Sequence, residues 1–185
     1  MIRAGDRASA VDYEVLDAAT FEAAIPDLAD LLVDAVDSGA SVNFLRGFSV
    51  DDGVAWWSAR RADVARGAIR PLVARLEGNI VGVALLAPTL KPNSPHRAEV
   101  NKVIVHRRAR GRGIGSGLML AIEELARAEG HWLLVLDTTT GSDADRLYRR
   151  LGWTRFGEVP NHALTADGAL SDTTYFFKDL RDAGG

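Results

Sequence analysis

The chain has 185 residues, 47% hydrophobic and 25% charged, enough apolar sequence for one packed domain, so disordered, collagen-like and fibrous classes are excluded. The formal net charge of −3 argues against a general nucleic-acid binder, which carries a strongly basic domain. Cysteine is absent, which excludes disulfides, thiolate metal sites, iron–sulfur clusters and a cysteine nucleophile. No apolar run approaches the ~18 residues that cross a membrane, and the start MIRAGDRASA has no apolar signal-peptide core. These features fit a cytoplasmic protein.

Residues 1–10 are polar and expected to be disordered, and residues 11–182 form the expected single domain. An extended piece around Tyr13 and Val15 comes first. Thr20 can cap a helix with Phe21, Ile25, Leu28, Leu31, Leu32 and Val36 on one face. Pro26 fits the first turn of its main part, with a short turn before it, and Gly39 ends it. Asp51 caps a second helix running through Trp56, Trp57 and Val64 to Gly67. IRPLVARLEG and NIVGVALLAP are two strands joined at Gly78-Asn79, the signature of a hairpin. RAEVNKVIVHRR is a fourth strand, and ARGRGIGSG is a turn rich in glycine and arginine. GLMLAIEELARAEG is an amphipathic helix. WLLVLD is a short apolar strand of the kind buried on both faces. Ser142 or Asp143 caps a short helix carrying Leu147, Tyr148 and Leu151, and two strands follow. The order β, α, α, β, β, β, α, β, α, β, β is that of a mixed α/β domain, with a parallel crossover at 98–137.

The segment HRRARGRGIGSG joins a strand directly to a helix. Its glycines, at 111, 113, 115 and 117, let backbone N–H groups approach a ligand. The helix adds the positive end of its dipole, so the turn is an anion site and phosphate its usual ligand. The alternative is a glycine-rich turn beside a solvated arginine patch. Neither the dinucleotide pattern G-x-G-x-x-G nor a G-K-[ST] phosphate loop fits here. R-x-x-G-x-G does, at Arg110, Gly113 and Gly115.

That motif, after the strand VNKVIV and before the helix ending LYRRLGW, resembles the acyl-CoA pyrophosphate loop of the GNAT N-acetyltransferase superfamily. Within it, KPNSPHRAEVNKVIV, ARGRGIGSGLM and LVLDTTTGSDADRLYRRLGWTRFGEVP resemble the tabtoxin-resistance acetyltransferases, which act on an amino-β-lactam. The likeness runs from about Leu31 to Leu180. It implies the GNAT acyl-CoA N-acyltransferase fold, a mixed sheet of six to seven strands flanked by about four helices. It also implies direct acetyl transfer from the cosubstrate acetyl-CoA to an amine. Many superfamily members have Asn where this chain has Gly141, so a side-chain contact is lost there.

By that resemblance Glu99 and Asp137 are acid–base carboxylates and Tyr148 is the general acid for the departing thiolate. Each residue has a plainer reading. Glu99 can pair with Arg97 or Lys102, Asp137 can cap the TTTG turn, and Tyr148 can be a core side chain. Strand alternation puts Glu99 on one face with Asn101, Val103 and Val105. The cofactor set is Val103, Ile104 and Val105, where the pantetheine arm adds like a strand, and Arg110, Gly111, Arg112, Gly113, Ile114, Gly115 and Ser116 around the pyrophosphate. Arg107 and Arg108 reach either the 3′-phosphate or water. Ser41, Asn43 and Phe44 are the acceptor candidates, and at most one of Trp56 and Trp57 joins them. The four scattered histidines give no metal spacing, so no metal is expected. The function expected is acetylation of a small-molecule primary amine, amino-acid-like or an amino-β-lactam, in antimetabolite resistance. Protein or peptide N-acetylation and a non-catalytic CoA-binding module are the alternatives. No nucleic-acid or membrane partner is expected, and a homodimer is left open.

Overall fold

The computed structural model describes residues 11–182; the disorder expected for residues 1–10 lies outside them. Strand β1 (Val11–Val15) leads into helices α1 (Ala18–Asp37), α2 (Val50–Ser58) and α3 (Arg61–Ala65). Then come β2 (Arg70–Leu76), β3 (Asn79–Pro88), β4 (Arg97–Val105), α4 (Ile114–Ala128), β5 (Leu133–Thr139), α5 (Asp143–Arg150), β6 (Thr154–Leu164) and β7 (Leu170–Asp179). The seven strands form one sheet in the order β1-β2-β3-β4-β5-β7-β6. β4 and β5 are parallel and the other neighbours antiparallel. Two apolar layers cover the sheet. Phe21, Leu28, Leu32 and Trp57 of α1 and α2 pack with Val83, Leu85 and Ile104 on one face. Ile114, Leu118 and Ile122 of α4 and Tyr148 of α5 pack with Ala98, Val100, Leu134 and Phe176 on the other.

Helix starts differ slightly from the sequence reading. Asp17, not Thr20, caps α1: Ala19 N and Thr20 N donate to its Oδ1 at 3.0 and 2.8 Å, and Asp17 N donates back to Thr20 Oγ1 at 2.9 Å. Ser49, not Asp51, caps α2, with Asp52 completing the same reciprocal pair. α1 runs unbroken through Pro26. Pro26 is exposed, so the carbonyl it leaves unbonded, that of Glu22, faces water, and burial of Phe21, Ile25, Leu28 and Leu32 outweighs a proline cost of ~3 kcal/mol.

The second expected helix is two helices. Arg60 N bonds Trp57 O at 2.9 Å, while Arg60 Nη1 takes the Trp56 carbonyl at 2.5 Å, the acceptor that a continuing helix would use. The β2–β3 link is Glu77-Gly78, one residue earlier than expected, with φ of +53° and +81°. β5 is not buried on both faces: Leu134 and Leu136 are buried, Leu133 and Val135 are half-buried, and Asp137 is exposed.

Two irregularities of β4 shape the molecule. Val83 opposes Ile104 and Leu85 opposes Asn101, so two β4 residues, Lys102 and Val103, face the single Ala84. This is a β-bulge, and Lys102 holds a left-handed φ of +52°. The bulge reverses the alternation, correcting the expectation of a common face. Glu99 and Asn101 stay on the α1–α3 side with Ile104, whereas Val103 and Val105 join the α4–α5 layer. Second, β4 pairs with β5 only from Arg97↔Leu133 to Glu99↔Val135. Beyond that the two strands part.

Candidate active site

Where β4 and β5 diverge, a cleft of about 1260 Å³ opens between the helix layers. Its cofactor-side wall is built by the turn between β4 and α4. Gly111 and Gly113 both have φ of +76°, a conformation that costs an L side chain ~1–2 kcal/mol. Gly113 is the N-cap of α4 and offers no side chain to the first turn. The first-turn N–H groups of Ile114, Gly115 and Ser116 have no partner within the helix, and all three residues line the cleft. A Cβ on Gly115 would sit in contact with Leu147 Cδ2, at 3.4 Å, so the turn packs close to α5.

A buried acid fastens this turn. Asp34 of α1, 6% exposed, accepts from Arg107 N at 2.9 Å and from Arg107 Nε. His106 Nε2 lies 3.7 Å from Asp34 and Arg110 Nη2 3.9 Å. Arg110 Nε donates to Val105 O at 3.0 Å and its Nη2 to Ser38 Oγ at 2.7 Å. Arg107 is therefore held by Asp34 rather than reaching for a phosphate, and Arg110 braces the turn against α1. Arg112 is exposed and outside the cleft lining; the other cofactor candidates, Val103, Ile104, Val105, Arg110, Gly111, Gly113, Ile114, Gly115 and Ser116, line it.

The three candidate catalytic residues share the cleft. Glu99 stands at the last β4 position paired with β5, and Asn101 Nδ2 lies 3.5 Å from its Oε1. Asp137 lies two residues past Val135, the last β5 position paired with β4, and stands opposite Tyr175 of β7. Tyr148, on the inner face of α5, is 4% exposed. Burial first, and the nearby Asp137 charge second, raise its phenol above the ordinary value, so it keeps its proton at neutral pH. Tyr148 is thus both a core side chain, packed on Phe176 and Trp153, and a cleft residue.

At the other end Ser41, Asn43 and Phe44 line the cleft, as does Trp56; Trp57 is fully buried in the α1–α2 core. Sequence reasoning did not single out Lys102, Arg60 or His162 as site residues, although all three line the cleft. Lys102 Nζ donates to Val42 O at 3.0 Å and sits 5.5 and 5.3 Å from the Phe44 and Trp56 ring centres. Burial, then the positive charge of Arg60, lower its pKa to about 8, against an upward pull from Asp137 and Glu99. Arg60 stacks on Trp56 at 3.2 Å. The available signal was one lysine inside the apolar VNKVIV, in a chain with three lysines. His162 Nε2 lies 3.0 Å from Tyr175 Oη, and its cue was only a histidine in an exposed strand. Among the described residues no group of three His, Asp or Glu side chains is placed to hold a metal, and no helix is long and apolar enough to cross a membrane.

An uncapped, glycine-flanked helix N-terminus beside a parted pair of parallel strands fits a pyrophosphate and the arm attached to it. Residues 39–153 match the acetyltransferase (GNAT) family model. The chain belongs to the GNAT acetyltransferase family. It is accordingly an acetyl-CoA-dependent N-acetyltransferase with the GNAT fold. Among similar solved structures is a ribosomal-protein-alanine N-acetyltransferase from Brucella melitensis, 25% identical, with a TM-score of 0.72 over 91% of this chain and 99% of that one. A putative acetyltransferase from Salmonella typhimurium, solved with its cofactor acetyl-CoA, is 23% identical, with a TM-score of 0.73 over 96% and 98%. An N-acetyltransferase from Staphylococcus aureus Mu50 is 19% identical, with a TM-score of 0.75 over 93% and 99%.

Proposed function

We propose that this GNAT enzyme, working in the cytoplasm as the single domain 11–182, acetylates the primary amine of a small molecule, amino-acid-like or an amino-β-lactam, and that this serves antimetabolite resistance. The observation that carries the reading is one cleft that joins the α4 N-terminus, two carboxylates at the fork and a buried protonated phenol. Acetyl-CoA supplies an activated thioester; the amine nitrogen bonds its carbonyl carbon as the C–S bond breaks.

The backbone N–H groups of Ile114, Gly115 and Ser116, with the turn from Gly111 to Gly113, bind the pyrophosphate. Arg110 acts by holding that turn, and Arg112 can contribute its backbone only. The β5-facing edge of β4 past Glu99, through Val103, Ile104 and Val105, has no strand partner among the described residues and offers backbone bonds to the pantetheine arm. Glu99 and Asp137 stand on the acceptor side. The incoming ammonium must lose a proton before it attacks, and one of these carboxylates takes it, directly or through water. Tyr148 gives its proton to the departing thiolate sulfur. Ser41, Asn43 and Phe44 close the acceptor end.

The test is an acceptor panel of amino acids, amines, amino-β-lactams and peptides with N-terminal alanine, read by thiol release and product mass. Acetylated small amines, lost in Glu99→Gln and Asp137→Asn, support the proposal. A second reading, peptide N-acetylation, is favoured by the likeness to the ribosomal-protein-alanine enzyme. Turnover of the alanine peptides alone would select it. Acetyl-CoA binding without turnover of any acceptor favours the non-catalytic module.

A further inference from the structure

The acceptor end of the cleft holds two cations that no carboxylate pairs. Lys102 has the Val42 carbonyl as its hydrogen-bond partner, and Arg60 has the Trp56 carbonyl and ring. Neither is in an ion pair among the described residues, although fourteen other pairs form. Both are partly buried and both lie against the Trp56 ring, Arg60 Cζ at 3.2 Å and Lys102 Nζ at 5.3 Å from its centre. Asp63 eases the charge on Arg60, and Glu99 and Asp137 ease that on Lys102, but none of the three hydrogen-bonds either cation, so both keep donors free for an anion.

The backbone adds a second observation. Regular alternation would turn Lys102 toward the α4–α5 layer beside Ala98 and Val100. The bulge, with the strained φ of +52°, turns it instead to Val42, Phe44 and Trp56. Strain held at one residue inside a cleft is a pointer to function. The opposite charges lie close by: Glu99 and Asp137 both act on Lys102 electrostatically. The acceptor end thus carries two positive and two negative groups around one space.

We infer that Lys102 and Arg60 are specificity-determining residues that bind a carboxylate of the acceptor, so that the enzyme selects amines bearing an acid group over plain amines. The acceptor's ammonium then faces Glu99 and Asp137, and its carboxylate lies between Lys102 and Arg60, with the Trp56 ring holding the guanidinium in place. This inference rests on the small-amine reading above and deepens it.

The experiment uses matched acceptors that differ by the carboxylate alone: leucine with 3-methylbutylamine, methionine with 3-(methylthio)propylamine, and phenylalanine with 2-phenylethylamine. The ratio of kcat/KM for each acid over its amine is measured in the wild type, Lys102→Met and Arg60→Met. The inference expects a wild-type ratio well above one in at least one pair, and a fall of about tenfold or more in each variant, as follows from losing a charge-assisted hydrogen bond. A variant that merely loosened the Val42 loop would slow both members and leave the ratio alone, which would overturn the inference. Turnover of both members with a wild-type ratio near one would overturn it while leaving the small-amine reading intact. Turnover of neither member in any pair, with no small amine of the wider acceptor panel acetylated, would remove that reading and this one together.

Discussion

Tyr148 shows how one side chain serves two ends. Its ring completes the α4–α5 core, and the same residue lines the cleft. Tyr148→Phe keeps the ring, so thermal unfolding should barely move. If the phenol is the proton donor, kcat should fall ~10²–10⁴-fold, measured under saturating acetyl-CoA. Lys102 makes a prediction in pH. Its folded pKa of about 8 lies below the ordinary lysine value, so between those two the unfolded chain binds more protons and stability rises with pH. Denaturation of wild type and Lys102→Met at pH 7 and near pH 10.5 should show the wild type gaining on the variant at the higher pH; a constant difference would mean an ordinary lysine. The resemblance picked out Glu99, Asp137 and Tyr148, and all three line the cleft. It did not pick out Lys102 and Arg60, because a bulge and a helix break bring them there and no residue type announces either.

At the scale of elements, the cofactor wall depends on α1 as much as on the turn itself. Asp34 takes the backbone and guanidinium of Arg107 and lies near His106 and Arg110. Asp34→Ala removes that anchor. We expect a loss of about 1–3 kcal/mol in stability by chemical denaturation, and weaker acetyl-CoA binding by calorimetry. Asp34→Asn, which can still accept the Arg107 backbone N–H, should lose less. The glycine turn, its helix and the seven strands were visible in the sequence, since glycine spacing and apolar periodicity are local signals. The single helix expected over 51–67 was not what forms, because a side chain from Arg60 captures the carbonyl that would have continued it. Pro26 misled in the other direction: an apolar stripe on one face outweighs one missing bond on the other. Alternation placed Val103 and Val105 with Glu99, and the bulge at Lys102 reversed them.

For the whole molecule, the decisive feature is the parting of β4 and β5 after three paired positions, with a helix layer on each side. The sheet is continuous around the fork, so a ligand seated there should tie both halves together. Acetyl-CoA at about 100 times its Kd should stabilise the fold by ~2.7 kcal/mol. For a chain of this size that is a rise in Tm of roughly 5–10 °C.

The most direct test of the account is a calorimetric titration of acetyl-CoA into the wild type and Gly113→Val, with NAD as the control dinucleotide. Gly113 sits at φ of +76°, where a β-branched residue is strained, at the cap of the helix that holds the pyrophosphate. Acetyl-CoA should bind the wild type at one site, NAD should give no heat, and binding should weaken at least tenfold in a folded Gly113→Val. A folded wild type that gives no heat with acetyl-CoA, or a folded variant that binds it as tightly, would contradict the assignment of that turn.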